Sequence, residues 1–231
     1  MKAIGLGADS ELRPAARLRP MTAAVLVGIT VTLMNGCTRT IEDAAPTPAA
    51  IAAPITTLQV ADLLSPKVLQ EDGNLFVTAE PERCSGLARE VDPPFLDAHG
   101  PLATHGGHWA TEDGATFVEE MVAVYRFEFD PAHALTTVRQ AIERCRDTTL
   151  TVTTMLGRVH TFAVAPAAVV GPSGSVGWSL RSADWNCDNT FVAAHNAAIE
   201  ITACGSAGGF DSAALARDAL ARIDALANTT A

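Results

Sequence analysis

Cys37 is the residue best placed for covalent chemistry, because it ends Leu33-Met34-Asn35-Gly36-Cys37, directly after a small residue and an apolar run from Met21 to Met34. A thiol in that position suits acylation: cleavage before Cys37 would leave it as the mature N-terminus, carrying fatty acyl chains such as palmitate. Lys2, Arg13, Arg17 and Arg19 lie upstream of the run, so residues 1–36 read as an export signal peptide. As a helix the run of 14 residues covers about 21 Å, short of a ~30 Å hydrocarbon core. The expected tether is therefore lipid, holding the protein on the extracytoplasmic face of the cell membrane. Asn35 in the acylation motif, and Asp9 and Glu11 in the basic region, depart from the usual pattern. A plain secreted protein and an uncleaved anchor are the alternatives.

Four more cysteines follow, Cys84, Cys145, Cys187 and Cys204, an even number in a chain that leaves the cytoplasm. Two disulfides are the expectation. A four-cysteine zinc site would show closely spaced pairs, and none occurs. Asp188 to Ala194 and Ala197 to Ala203 read as two strands around His195-Asn196, with asparagine supplying the positive φ of a tight turn. If those two residues form the turn, paired positions sum to 391 and Cys187 lies opposite Cys204 on a non-hydrogen-bonded pair, where Cα atoms approach to about 4.5 Å. Cys84 and Cys145 then pair by elimination.

Other chemistry-bearing groups are weaker. His99, His105 and His108, with Glu112 and Asp113 beyond, carry metal-ligand atoms. Three glycines and a proline make that segment a loop of solvated histidines, so no metal and no cofactor are expected. Gly171-Pro172-Ser173-Gly174-Ser175-Val176-Gly177 misses the Gly-x-Ser-x-Gly spacing of a nucleophile elbow for both serines and reads as a turn. Asp184 and Asp188 flank Trp185 as solvated strand ends rather than an acid pair. No catalytic set is complete. Trp109, Tyr125, Trp178 and Trp185 are the candidates to line a ligand cleft, since aromatic rings supply contact area with a polar handle.

The elements that must position these groups are legible in part. Residues 37–57, rich in Ala, Pro and Thr from Thr38 onward, read as a lipidated N-terminus and flexible stalk, and residues 58–231 as one domain. Ser65-Pro66 predicts a short helix through about Gln70, Leu75 to Thr78 a strand, and Pro81 to Arg89 a short helix carrying Cys84. Phe117 to Phe129 alternates, with Phe117, Met121, Ala123, Tyr125, Phe127 and Phe129 on one face and Glu119 intruding. Asp130-Pro131 opens a helix whose Leu135, Val138, Ile142 and Cys145 share a stripe. Thr148 to Met155, Arg158 to Ala165 and Val176 to Ser182 read as strands, and Asp211 caps a closing helix with Leu215, Ala219, Ile223 and Leu226 on one face. The fold class expected is α+β, an antiparallel β-sheet with helices packed against one side and two disulfides.

The order Leu63-Leu64-Ser65, Pro81-Glu82-Arg83-Cys84, the Val122 to Phe129 strand running into an Ala-rich helix ending in Cys145, Gly177-Trp178, and Cys187 through Asn196 to Cys204-Gly205 resembles the PknH-type extracellular sensor domain. That family occurs at the outer end of some mycobacterial serine/threonine kinases and as free-standing envelope lipoproteins. The resemblance, over about residues 58 to 227, implies an antiparallel sheet with helices around a cleft, ligand sensing, and first-with-second and third-with-fourth cysteine pairing. No kinase domain accompanies it here, so a signal would have to be passed inward by another protein.

Beyond residue 36 the chain carries 12 basic and 24 acidic residues, a formal charge of −12. Such a surface repels phosphate backbones, and nucleic acid is excluded as a partner. The reading is a lipid-anchored, non-catalytic domain that binds an unknown small molecule or cell-wall component. A structural or protein-interaction lipoprotein is the alternative, and a hydrolase with an unrecognised site stands behind both.

Overall fold

A computed structural model of the chain describes residues 53–68, 76–89, 93–154, 156–167, 170–207 and 210–229. Cys37, the signal segment and most of the stalk lie outside the described residues. Among the described residues the first tertiary contacts are those of Ala53, whose N–H donates to Ala227 O at 3.0 Å, and of Ile55, which is buried.

Eight strands form one sheet in which each neighbouring pair is antiparallel: β1 (Phe76–Glu80), β2 (Ala103–Ala110), β3 (Thr116–Val124), β4 (Thr149–Thr154), β5 (Val159–Pro166), β6 (Ser175–Arg181), β7 (Asn186–Ala194) and β8 (Ala197–Gly205). Their order is β1-β4-β5-β6-β7-β8-β3-β2. Three helices, α1 (Pro94–Asp97), α2 (Pro131–Cys145) and α3 (Ser212–Thr229), and two 3-10 helices, Thr57–Leu63 and Glu82–Leu87, complete the described elements.

The α+β class and the β7–β8 register are as expected, with Ala194 opposite Ala197 and Cys187 opposite Cys204. The positive φ of the turn falls on His195, at 51°, rather than on Asn196. Asn196 instead turns its amide inward. Its Oδ1 accepts from Ile55 N at 2.8 Å, and its Nδ2 donates to Ile55 O and Tyr125 O, both at 2.9 Å.

The helices are divided between the two faces of the sheet rather than gathered on one. Ala134, Val138, Ile142 and Cys145 of α2 pack with Leu87, Phe95, Leu96, Phe162, Trp178 and Phe191 on one face. Ala216, Ala219 and Ile223 of α3 pack with Ile55, Val60, Leu63, Val118, Val122, Ile199 and Ile201 on the other. Alternate residues of β8 accordingly enter opposite cores, and every residue of that strand is buried.

Capping chemistry explains the helix starts. Asp130 accepts from Ala132 N and His133 N, with Pro131 at the first helical position, and Asp211 Oδ1 accepts from Ala214 N at 2.9 Å. The helix expected from Ser65 is a single turn closed by Val68 N to Ser65 O, preceded by the 3-10 helix. β3 stops at Val124, so Phe127 stands 79% exposed in a turn instead of continuing the apolar face. The segment read as a histidine loop is β2, an edge strand paired along its length with β3.

Cys84 bonds Cys145, tying the second 3-10 helix to the end of α2, and Cys187 bonds Cys204 across the hairpin, with Cα separations of 5.8 and 4.1 Å. They span 61 and 17 residues of sequence. In the chain-entropy picture those loops contribute about 4 and about 3 kcal/mol. Cys187 and Cys204 also sit in a continuous ladder of main-chain hydrogen bonds, which the other pair lacks. Cys84→Ser or Cys145→Ser should therefore lower the urea midpoint more than Cys187→Ser or Cys204→Ser. Asn196→Ala, which strips partners from Ile55 and Tyr125, should cost roughly 3 kcal/mol by the same assay.

Candidate functional site

Across the disulfide-bearing face runs a row of polar side chains. The pairing places His108 of β2 beside Glu119 of β3, then Thr202 of β8, Asn189 of β7 and Trp178 of β6. Gly106, Met121, Glu200 and Phe191 form the next row. Laterally paired residues of an antiparallel sheet project to one face, so these groups are neighbours.

Their burial is deep. Glu119, Thr202, Asn189 and Glu200 are 3%, 4%, 1% and 4% exposed. One internal bond joins them, Thr202 Oγ1 donating to Asn189 Oδ1 at 2.8 Å. His108 Nδ1, Asn189 Nδ2 and Glu200 Oε2 are buried without a hydrogen-bond partner among the described residues. An unsatisfied buried group costs about 1–3 kcal/mol, and native proteins keep few of them. Three on one face make a floor of unused donors and acceptors.

Burial governs the protonation of this floor. It raises the Glu119 carboxyl from its ordinary 4.5 to about 7. Burial, and then the charge of Asp97, raises Glu200 well above the carboxylate range. Burial thus favours the protonated form of both carboxyls, a form that donates as well as accepts.

The cover over the floor is incomplete. α2 packs on β5, β6 and β7, and α1 on β8. Beyond them, on β2 and β3, His108 and Met121 are half-buried and Phe117 is 39% exposed. Met121 can lie flat there because residue 106 is glycine: a Cβ at Gly106 would stand 2.1 Å from Met121 Sδ. The floor therefore rises from Asn189 beneath the helices to an open shelf at β2.

The four aromatics expected at a cleft do not gather around one space. Tyr125 and Trp178 are core residues whose polar atoms are satisfied, the hydroxyl by Leu96 O at 2.9 Å and Nε1 by Leu87 O at 2.8 Å. Trp185 is half-buried against His160, with ring centroids 5.8 Å apart, and its Nε1 has no partner. Trp109 faces the other way, because it follows His108 on a strand and successive residues alternate. Its Nε1 donates to Glu120 Oε1 at 3.3 Å, and Lys67 Nζ lies 4.6 Å over its ring.

The histidines separate for the same reason. His105 belongs to the face opposite His108, and His99 meets Tyr125, Phe129 and His133 edge-on. Asp113 accepts from Thr111 Oγ1 and Ala115 N within the β2–β3 turn. Among the described residues no three His, Cys, Asp or Glu side chains converge as a metal site. Ser175 Oγ donates to Pro172 O at 2.8 Å inside its turn. Asp188 is not a solvated strand end: it is 5% exposed, pairs with Arg181, and accepts from Ser179 Oγ and Phe210 N.

The polar row was missed in the sequence because β2 was read as a loop, and its signal was the intruding Glu119 in an otherwise apolar alternation. The raised carboxyl gives it a signature. Between about pH 4.5 and pH 7 the folded state keeps the Glu119 proton that the unfolded chain has lost, so stability falls as pH rises through that window and levels above it. The loss is on the order of 3 kcal/mol. Glu119→Gln should remove that part of the slope in urea melts at pH 5, 6, 7 and 8.

No curated protein sequence matches the chain significantly. The crystal structure of the extracellular domain of PknH from Mycobacterium tuberculosis has the same fold, with a TM-score of 0.57 at 17% identity over 76% of this chain and 98% of that chain. The family model described as PknH-like extracellular domain matches residues 38–222. Residues 38–222 include every described strand and all but the last turns of α3, so the chain belongs to the PknH-like extracellular domain family.

Proposed function

We propose that the protein is a lipid-anchored, non-catalytic binding module of the extracytoplasmic face, tethered through Cys37 and taking a small molecule or cell-wall component on the shelf between β2 and β8. The observation that carries the binding reading is the floor itself: His108, Asn189 and Glu200 hold buried polar atoms with no partner inside the described protein. These atoms are closed to solvent, so a ligand that supplies their partners must first displace the side chains over them. Family membership supports an extracellular, sensor-like role. The absence of a nucleophile–base pair around either loop serine, and the dispersal of the histidines, support binding without turnover. No helix among the described residues is long and apolar enough to cross a membrane. The acidic surface keeps nucleic acid away.

Two measurements test the reading. Mass spectrometry of the membrane fraction should find diacylglycerol and acyl chains on a mature N-terminal Cys37, and an unmodified N-terminus elsewhere would remove the anchor. A thermal-shift screen of wall fragments should produce a stabilised melt, since a ligand at 100 times its dissociation constant adds about 2.7 kcal/mol. A stabilising compound that acts equally on His108→Ala would place the site elsewhere.

A further inference from the structure

We propose that the cavity between α2 and the turn from Gly171 to Gly177 is a second, separate site, which takes the carboxylate or phosphate group of a small ligand on the Arg139 guanidinium. The inference goes beyond the shelf at β2 and β3 and does not rest on it. It begins where two strands part. The β5–β6 ladder ends at Pro166 opposite Trp178, yet β6 runs on to Ser175 along β7. Ser175, Val176 and Gly177 therefore have a strand on one side only. On the other lies a cavity of about 520 Å³, within the range of about 300–1,000 Å³ typical of small-ligand pockets. Gly174 O accepts from Ala193 N at 3.0 Å, so the even-numbered residues of β6 bond to β7 and the odd-numbered ones turn their main chain the other way. Ser175 N is used, donating to Pro172 O at 3.2 Å. Gly177 N–H lies beyond the last rung of β5 and has no hydrogen-bond partner among the described residues.

Arg139 supplies the charge, and it is open to solvent. It follows Val138, which is buried in the core, so α2 is fixed to the sheet while the guanidinium stands exposed at the cavity. Among the described residues Arg139 makes no ion pair: Glu143, one turn further along α2, pairs with Arg146 at 2.6 Å instead. No carboxylate lines the cavity, although acidic residues outnumber basic ones beyond residue 36. The opposite wall is preformed. Ser175 Oγ joins its own N–H in donating to Pro172 O, and Gly171 lies against that hydroxyl, where a Cβ would stand 2.3 Å away. A cationic ligand would meet a guanidinium with no carboxylate to balance it. An apolar ligand would strip water from Arg139 and from Gly177 N–H without replacing it. An oxyanion suits both groups, because the planar guanidinium matches carboxylate and phosphate oxygens in pairs and a main-chain N–H adds a further donor.

The test is heteronuclear NMR of the full chain in a non-ionic detergent. N-acetylalanine serves as the carboxylate probe, inorganic phosphate as the phosphate probe and ethylammonium as the cation. At least one anion should bind with a millimolar or tighter constant and shift the amides of Ser173, Gly174 and Gly177, and the tighter of the two identifies the group taken. Arg139→Gln should weaken that binding about tenfold, or about 1.4 kcal/mol, with the melting temperature unchanged because the guanidinium is exposed and unpaired. Arg139→Lys, which keeps the charge but not the paired donors, should retain part of the affinity. Added sodium chloride should weaken binding to the native chain. Anion binding that Arg139→Gln leaves unchanged overturns the assignment, and so do anion-induced shifts confined to other parts of the chain. Silence of both anions overturns it as well, as does ethylammonium binding equally tightly at the same amides.

Discussion

The side-chain amide of Asn196 holds the geometry on which the rest depends. It sits in the two-residue turn between β7 and β8 and behaves like a strand residue, exchanging hydrogen bonds with both main-chain groups of Ile55 while its own carbonyl accepts from Tyr125 N at 2.8 Å. Three stretches far apart in sequence meet at this point: the start of the described domain, the exit of β3 and the hairpin turn. Because the side-chain period of a strand is two, a slip of one residue at that turn would exchange the faces of β7 and β8. Cys187 would then no longer oppose Cys204, and the Thr202–Asn189 pair would break. The turn thus sets the register, and the register sets the polar row.

Glu119 and Glu120 show what the two faces do with the same chemistry. Glu120 points at α3 and is fully served: Arg222 Nη2 lies 2.9 Å from Oε2, Ser65 N donates to the same oxygen at 3.0 Å, and Trp109 Nε1 donates to Oε1. Arg222 also donates to Leu63 O. That arrangement fastens the first 3-10 helix, β2, β3 and α3 together, and a buried pair that is hydrogen-bonded on both sides tolerates the removal of neither partner. Glu119, one residue earlier, faces the other core, where burial acts on its carboxyl with no charged partner to offset it. Two adjacent carboxyls with similar exposure therefore have opposite physics, one held by a cation and hydrogen bonds and one raised by burial alone.

Much of the fold was legible because local chemistry and tertiary packing agreed. The alternation of β3, the Asp130-Pro131 start of α2 and the hairpin register all encode their outcome within a dozen residues. What failed to read did so for physical reasons. β2 contains Gly106 and Gly107, which suggest a loop, yet Gly106 is small because Met121 lies where its Cβ would be. Asp188 looked solvated because its partners, Arg181, Ser179 and the Phe210 main chain, come from three other segments. The division of helices between two faces was hidden because β8 is buried along its whole length, its alternate residues entering opposite cores. Glu119, intruding on the apolar face of β3, was the legible trace of the candidate site. Its lateral alignment with Thr202 and Asn189 needed the strand pairing to be seen.

The position of the hairpin disulfide follows from the same alignment. Cys187 and Cys204 are each two residues from Asn189 and Thr202, on the same face and in the next row of the ladder. A sheet row of polar groups only partly satisfied by one another adds little packing energy at that level. A covalent link one row away holds β7 against β8 there. The other disulfide acts at a distance, fixing the end of α2 to the 3-10 helix that carries Leu87, whose carbonyl in turn anchors Trp178 at the inner end of the row. Both links thus brace the region where the sheet carries its least compensated residues, His108, Asn189 and Glu200.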